Sequence, residues 1–529
     1  MSDRCRGRGF RASGLPTLTL AVCALLLLLG CARKDDGREV VRFWAMGYEG
    51  QVVAQLIPEF ERRHPGIRIE LQQLPWTAAH EKLLTAFAGD ALPDVCAIGN
   101  TWLPEFAMIG ALSPLDARIA RTPAVDPHDY FAGAWDSGVV DGHVYGVPWY
   151  VETRLPFYRR DLLEQSGIAA PPANWDQWRT AMAAIKREVG AERYAILLPI
   201  NEFEPLLNLA MQQPDPLLRE GGRYGNFRSP GFKRALAFYQ QMFDQGWAPR
   251  VSNTQIANVW DEFGRGYFSF YINGPWNIAE FRKRLPDALS QSWMTMPLPG
   301  PDGPGASVAG GTSFVIFQGS QHKDAAWKWI AYLSQPEVQT RFHAMTGDLP
   351  PRRSAWQSEA LMNDTYARAF RDQLERAKPT PKVPEWERIA TELRLVAEQM
   401  VNGRLTVDEA ATELDRRADA ILEKRRWMLD RREGPNLSTH VDSLLFQSLI
   451  SVESQLLSPS PSGRGVGVRV RREREASYSL RTLIRRFAPP SPEGRRCKHR
   501  AWLRFEADQV FKRGESGKGE RAAGWGAAS

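Results

Sequence analysis

The run VVRFWAMGYEGQVVAQLIPEFERRHPGIRIEL, residues 40–71, changes its hydrophobic period twice. Val40–Trp44 reads as a short strand and Gly47-Tyr48-Glu49-Gly50 as a turn. From Gln51 the apolar residues Val52, Val53, Leu56, Ile57 and Phe60 recur at helical spacing. Pro65-Gly66 ends that helix, and Ile67, Ile69 and Leu71 alternate as a second strand. Downstream, Thr77–Ala88 is helical, Asp94–Ile98 is a buried strand, and Pro104–Met108 opens another helix. Strand, helix, strand, helix, strand predicts an α/β layer with a largely parallel sheet. Ligands of such sheets lie beyond the carboxyl ends of the strands. Met46–Gly50, Gln73–Trp76 and Gly99–Trp102 are therefore the expected binding loops.

The alternation then repeats. Asp141-Gly142 is a hairpin signal. Asn174 caps a helix that reaches Val189 and stops at Gly190. Ala195–Pro199 and Tyr267–Ile272 read as strands, with the helix Ser229–Gln245 between them. Gly310-Gly311 precedes a strand at Ser313–Phe317. Asp324–Leu333 is a helix with Trp327, Ile330 and Ala331 on one face, and Asn363 to Arg426 is mostly helical, with a capping box at Thr406 and Glu409. Two α/β regions and a helical close exceed what one open sheet accommodates, so two lobes are expected.

The pI near 9.1 is not a property of this body. Residues 434–529 hold 17 Lys/Arg against 9 Asp/Glu and residues 1–30 hold 4 against 1. With +7 overall, residues 31–433 carry a net charge of about −4. No basic footprint for nucleic acid remains there. The five cysteines make no evenly spaced set and no C-x-x-C pair, and Cys96 reads as a small core residue. The eight histidines lack metal-ligand spacing, and no G-x-x-x-x-G-K-[ST] loop occurs. No cofactor and no metal are expected. Glu49 and Glu152 could be imagined as a glycosidase pair, but nothing supplies the wider enzyme pattern.

Both ends differ from the body. Arg4, Arg6, Arg8 and Arg11 precede the apolar run Leu18–Leu29, too short for a comfortable membrane span. The sequence Leu28-Leu29-Gly30-Cys31 resembles the lipobox of bacterial lipoproteins, which implies a signal peptide over 1–30 and a diacylglyceryl group on Cys31. Ala32 leaves sorting between the two membranes open. Residues 434–529 are a low-complexity basic tail, with breakers at Ser458–Gly465 and Pro489–Gly494, and are expected not to fold. Translated sequence beyond the gene's proper end is the reading of this tail; a tail for anionic lipid is the alternative.

Phe43-Trp44-Ala45-Met46-Gly47-Tyr48-Glu49-Gly50, Phe60–Ile67 and Leu92-Pro93-Asp94-Val95 resemble the amino-terminal lobe of the family 1 extracellular solute-binding proteins. Tyr145–Arg154, Asn273-Gly274-Pro275-Trp276, Gly310-Gly311-Thr312-Ser313 and Thr346-Gly347-Asp348-Leu349-Pro350-Pro351-Arg352 look like the later landmarks of its maltose/trehalose-type branch. In series they span roughly residues 39–430. The resemblance implies the two-lobed periplasmic-binding-protein fold, each lobe a mainly parallel sheet flanked by helices, with a small carbohydrate in the cleft. It implies an importer receptor without catalysis, acting as a monomer in the periplasm. Its partners would be ABC permease subunits with a separate cytoplasmic ATPase, and the membrane through the lipid anchor. A receptor feeding a sensor kinase uses the same clamp. The expected divisions are a tether at 31–38, an amino-terminal lobe at 39–150 and 307–349, and a carboxyl-terminal lobe at 151–306 and 350–433.

A sugar presents apolar faces and a rim of hydroxyls, so its cleft needs flat aromatic rings and planar hydrogen-bonding groups. The family places a ligand acid at Glu49, an aromatic at Tyr150, an acid at Glu152, a stacking platform at Trp276 and an arginine at Arg352. Alternation puts Tyr150, Glu152 and Arg154 on one face. Gly311 and Thr312 can bring backbone amides close to a ligand, and Trp76 and Trp102 are further candidates. Gly99 stands where the branch has an Asp, and Asn100 is the residue that could take over its contact. Competing structural roles are a helix-end carboxylate at Glu49, a Glu152–Arg154 ion pair, a core Trp276 and a surface Arg352.

Overall fold

Residues 36–433 are described by a computed structural model. The expected signal peptide, Cys31 and the basic tail lie outside the described residues. Strands β1 (Glu39–Met46), β2 (Ile67–Leu74), β3 (Val95–Gly99) and β4 (Val147–Glu152) open a first sheet. The chain then leaves it to build a second sheet from β5 (Leu155–Arg159), β6 (Tyr194–Leu197), β7 (Phe268–Asn273) and β8 (Trp293–Thr295), and returns with β9 (Gly310–Ile316). The first sheet has the order β2-β1-β3-β9-β4 and the second β8-β5-β7-β6. One strand in each sheet runs against the others, β9 in the first and β5 in the second. The sheets are thus mainly parallel by strand direction.

Period-two alternation explains why both faces of the first sheet are covered. Phe43, Val95, Ala97, Phe314 and Ile316 enter one core with Phe60, Trp329 and Phe342. Cys96, Ile98, Val315 and Phe317 enter the other with Leu83, Leu103 and Phe106. Cys96 is fully buried, as a small core residue would be, and burial pushes its thiol well up. In the second sheet Phe157 and Tyr271 face Phe281, Trp293 and Phe370, whereas Phe270 and Ile272 face Trp178, Leu236 and Leu393.

The helices that matter for the site are α1 (Gly47–Val53), α2 (Trp76–Ala88), α3 (Trp175–Val189), α4 (Glu204–Met211), α5 (Asn277–Arg284), α6 (Lys323–Leu333), α7 (Pro336–Thr346), α8 (Trp386–Val401) and α9 (Val407–Ile421). Asn174 caps α3 by accepting from Gln177 N–H, and the Thr406–Glu409 box opens α9. The hairpin at Asp141-Gly142 forms, with both residues at positive φ. Two local expectations are corrected. Gly47–Gly50 is the first turn of α1, because extended Met46 feeds the helix directly, with no intervening loop. Gly310 and Gly311 lie inside β9, paired with Glu152 and Val151, where backbone pairing with β4 substitutes for side-chain packing.

Candidate functional site

The carboxyl ends of β1, β3 and β4 and the amino ends of α1, α2, α4 and α5 surround one cavity of about 550 Å³, within the ~300–1,000 Å³ range of small-molecule sites. Glu49, Trp76, Asn100, Trp102, Tyr150, Glu152, Arg154, Trp276, Gly311 and Thr312 all line it. These residues come from segments scattered over 49–312, and the two sheets bring them together.

On the first-sheet side, Trp76 and Trp102 meet edge to face with ring centres 5.7 Å apart, and Trp76 stays 37% exposed. Burial pushes the Glu49 carboxyl up, against the pull of its own backbone amide and the Trp76 indole. Its Oε2 is buried without a hydrogen-bond partner, as is Thr312 Oγ1. Asn100 N–H donates to Gly311 O at 3.1 Å, and Asn100 Oδ1 accepts from Ser313 Oγ at 2.9 Å, which leaves its amide nitrogen to offer a ligand. Tyr150 is 7% exposed and packs against Trp149 and Phe342 behind the cavity wall. Burial holds its hydroxyl well above the usual phenol value, reinforced by Glu49 and Asp348. Gly311 has φ +112°, and a Cβ there would lie 2.4 Å from Tyr150 O, so only glycine lets β9 approach β4 this closely.

Arg154 sits where the chain passes from one sheet to the other. Its backbone is fixed by Ser307, whose Oγ donates to Arg154 O at 2.6 Å and accepts from Arg154 N–H at 3.2 Å. Its guanidinium donates to Asn273 Oδ1 and Glu204 Oε1, each at 3.3 Å, and lies 3.9 Å from Glu152 Oε1. It also lies 5.2 Å from the centre of the half-buried Trp276 ring. That ring rests on the backbone of Gly274, where a Cβ would be 1.8 Å from Trp276 Cζ3. Burial pushes the Glu152 carboxyl up, Arg154 opposes this, and Glu204 and Glu49 add to it. The ion pair weighed for Glu152 thus exists as a loose contact, with Glu204 the nearer partner.

Arg352 is the exception. It is 7% exposed and is absent from the cavity wall. Its Nε donates to Asp129 Oδ2 at 2.6 Å, and its Nη1 to Ala124 O and Ser334 O at 2.7 and 2.8 Å. A guanidinium held in this way away from the cavity wall is a buried structural group, not a surface one and not a ligand contact.

The cavity also holds residues that sequence reading passed over: Phe203, Glu204 and Leu207 of α4, Asp348, Thr380 and Trp386. Phe203 and Glu204 follow the carboxyl end of β6, so the strand-end rule applied to the first region would have found them. Asp348 lay inside a quoted landmark, beside the helix-ending Gly347. Nothing local marks Thr380 or Trp386. The wall therefore presents four carboxyls (Glu49, Glu152, Glu204 and Asp348) against one guanidinium, together with four indoles (Trp76, Trp102, Trp276 and Trp386). Carboxylates accept from hydroxyls and indoles cover apolar C–H faces, so the arrangement suits a polyhydroxylated, uncharged ligand.

Among the described residues, no helix is long and apolar enough to cross a membrane, and no group of three or more His, Cys, Asp or Glu side chains is placed to hold a metal ion. Comparison with known proteins matches residues 47–340 to the bacterial extracellular solute-binding proteins. The structure of the sugar-binding protein MalE from the phytopathogen Xanthomonas citri is 59% identical, covers 75% of this chain and 100% of its own, and superposes with a TM-score of 0.73. A binding protein of Brucella abortus is 29% identical over 75% of this chain and 97% of its own. A lipoprotein from the oleD 5′ region of Streptomyces antibioticus is 27% identical over 71% of this chain and 86% of its own. Members of this family are substrate-binding proteins of transporters, not enzymes. The two lobes, the cavity between them and these matches establish that the chain belongs to the bacterial extracellular solute-binding protein family.

Proposed function

We propose that this chain captures a small oligosaccharide or a disaccharide, such as a maltose- or trehalose-like glucoside, by lobe closure and delivers it to the permease of an ABC importer. The observation that carries this reading is the cavity wall: Trp76 and Trp102 on one side, Trp276 on the other, and hydroxyl-accepting carboxylates between them. The similar Xanthomonas citri protein is a sugar-binding protein, which supports the same ligand class. In this reading residues 39–150 with 307–349 move as one lobe, and residues 151–306 with 350–433 as the other. Cys31 carries a lipid that holds the protein at the membrane, facing the periplasm, and the similarity to a Streptomyces lipoprotein supports this anchor. Thermal unfolding of the mature protein against a panel of mono- and oligosaccharides tests the function. A true ligand at 100 times its Kd adds about 2.7 kcal/mol. A panel that leaves the midpoint unmoved for every sugar would refute the reading.

A further inference from the structure

Glu152, the last residue of β4, has Gly310 on one side and another strand-like segment on the other. Val151 pairs with Leu349 in an isolated antiparallel bridge, with Val151 N–H donating to Leu349 O at 2.9 Å. That register sets residue 348 opposite residue 152, side chains on the same face. Asp348 and Glu152 both line the cavity. Like charges directly opposite each other destabilise such a pair.

The surroundings of Asp348 do not relieve this. It is 9% exposed, and its Oδ2 is buried without a hydrogen-bond partner. From α1 it faces Glu49, and from β4 it faces Tyr150 and Glu152. From α7, Thr346 Oγ1 accepts from its backbone N–H at 3.1 Å, and the His343 ring meets its backbone carbonyl at 3.0 Å. Burial holds His343 below the usual imidazole value, against the pull of its hydrogen bond to the Asp348 backbone. Arg154, the guanidinium of the cavity, is engaged by Glu204 and Asn273.

We propose that Asp348 contacts the ligand as a hydrogen-bond donor, keeping its proton while the sugar is bound, so that capture weakens as Asp348 loses that proton. The proposal rests on the sugar-binding reading. With Asp348 as an acid, the β4 edge offers one donor beside the acceptors Glu49 and Glu152, and each sugar hydroxyl can both give and receive. Burial, then Glu49 and Glu152, push the Asp348 carboxyl well up and outweigh the Thr346 hydroxyl, which agrees with this assignment.

Calorimetric titration of maltose into the mature protein from about pH 5 to 9 tests it. Wild-type affinity should fall as pH rises. Asp348→Asn keeps the shape with a permanent donor, so its affinity should not vary with pH and should exceed that of the wild type at the alkaline end. Asp348→Ala should bind about tenfold more weakly than wild type at the acidic end, the worth of one hydrogen bond. An Asn variant as weak as the Ala variant at the acidic end, or a wild type with flat affinity, would overturn the proposal. If no sugar of the panel binds wild type, the function reading fails, and Asp348 is decided without ligand. A carboxyl raised in the folded state stabilises below its unfolded value of about 3.9, and that stability is lost as pH rises through the folded value. Asp348→Asn should then overtake wild type in Tm as pH rises; a difference that does not vary with pH overturns the proposal.

Discussion

Replacing Trp276 by Ala separates a ligand platform from a core tryptophan. The ring is half-buried at the cavity wall, rests on Gly274 and carries the Arg154 guanidinium 5.2 Å from its centre. A sugar laid on its free surface would remove roughly 60–80 Å² of apolar area from water, worth about 1.5–2 kcal/mol at ~25 cal/mol/Å². The cation–π contact with Arg154 is already made without ligand, so its ~0.5–1 kcal/mol falls on the stability of the free protein and not on affinity. The apolar term alone lowers maltose affinity by about 10- to 30-fold at 1.4 kcal/mol per decade. Unfolding of the free protein should change less, by about 1–2 kcal/mol, because the ring is only partly buried in the unliganded cavity. Calorimetric titration beside urea unfolding reads both quantities on one preparation. Unchanged affinity with a stability loss of 3–5 kcal/mol, the signature of a deleted core aromatic, would refute the platform.

Other expectations follow from the same geometry. Glu152→Gln keeps shape and removes the acceptor charge, so affinity should fall by roughly 10- to 150-fold in titration while the fold survives; wild-type affinity would remove Glu152 from the site. Arg352→Ala should leave maltose affinity intact but cost about 3–5 kcal/mol in urea unfolding, since it removes the buried partner of Asp129, Ala124 O and Ser334 O. Burial alone would raise the Asp129 carboxyl, but Ser354 and Arg352 outweigh it and hold the group low. Its contribution to stability is therefore present above about pH 4 and lost as pH falls through the folded value, and Arg352→Ala should blunt that acid loss. Cys31→Ser should abolish palmitate labelling and membrane retention in cell fractionation.

Much of this fold is readable because buried β-strands and capped helices leave local marks. The switch from helical spacing at Val52–Phe60 to alternation at Ile67–Leu71 places β1, β2 and the helical run between them, which a 3₁₀ turn at Ala54–Leu56 divides into α1 and a second helix, Ile57–Arg63; Asn174 and Thr406 start their helices at the positions where they stand. Gly47–Gly50 misleads because glycines signal turns, whereas here Gly47 only bends the chain into α1. Ten of the eleven candidate ligand residues reach the cavity, and Arg352 fails because a sequence position says nothing about which way a buried guanidinium points. Asp348 was missed for a related reason. Its significance lies in what stands opposite it, Glu152, and that pairing spans nearly two hundred positions of chain.

The place of β9 in the first sheet bears on how this protein is made. It is inserted between β3 and β4, yet it is synthesised after the whole of the second sheet. Until residue 316 emerges, β3 and β4 have no strand between them, and the backbone edges that β9 pairs with stay open on both. Sequence-distant pairing of this kind is slow to form. A nascent chain thus stays incompletely folded through three-fifths of its length, which keeps it threadable for export and makes it dependent on protection from aggregation until the last central strand arrives.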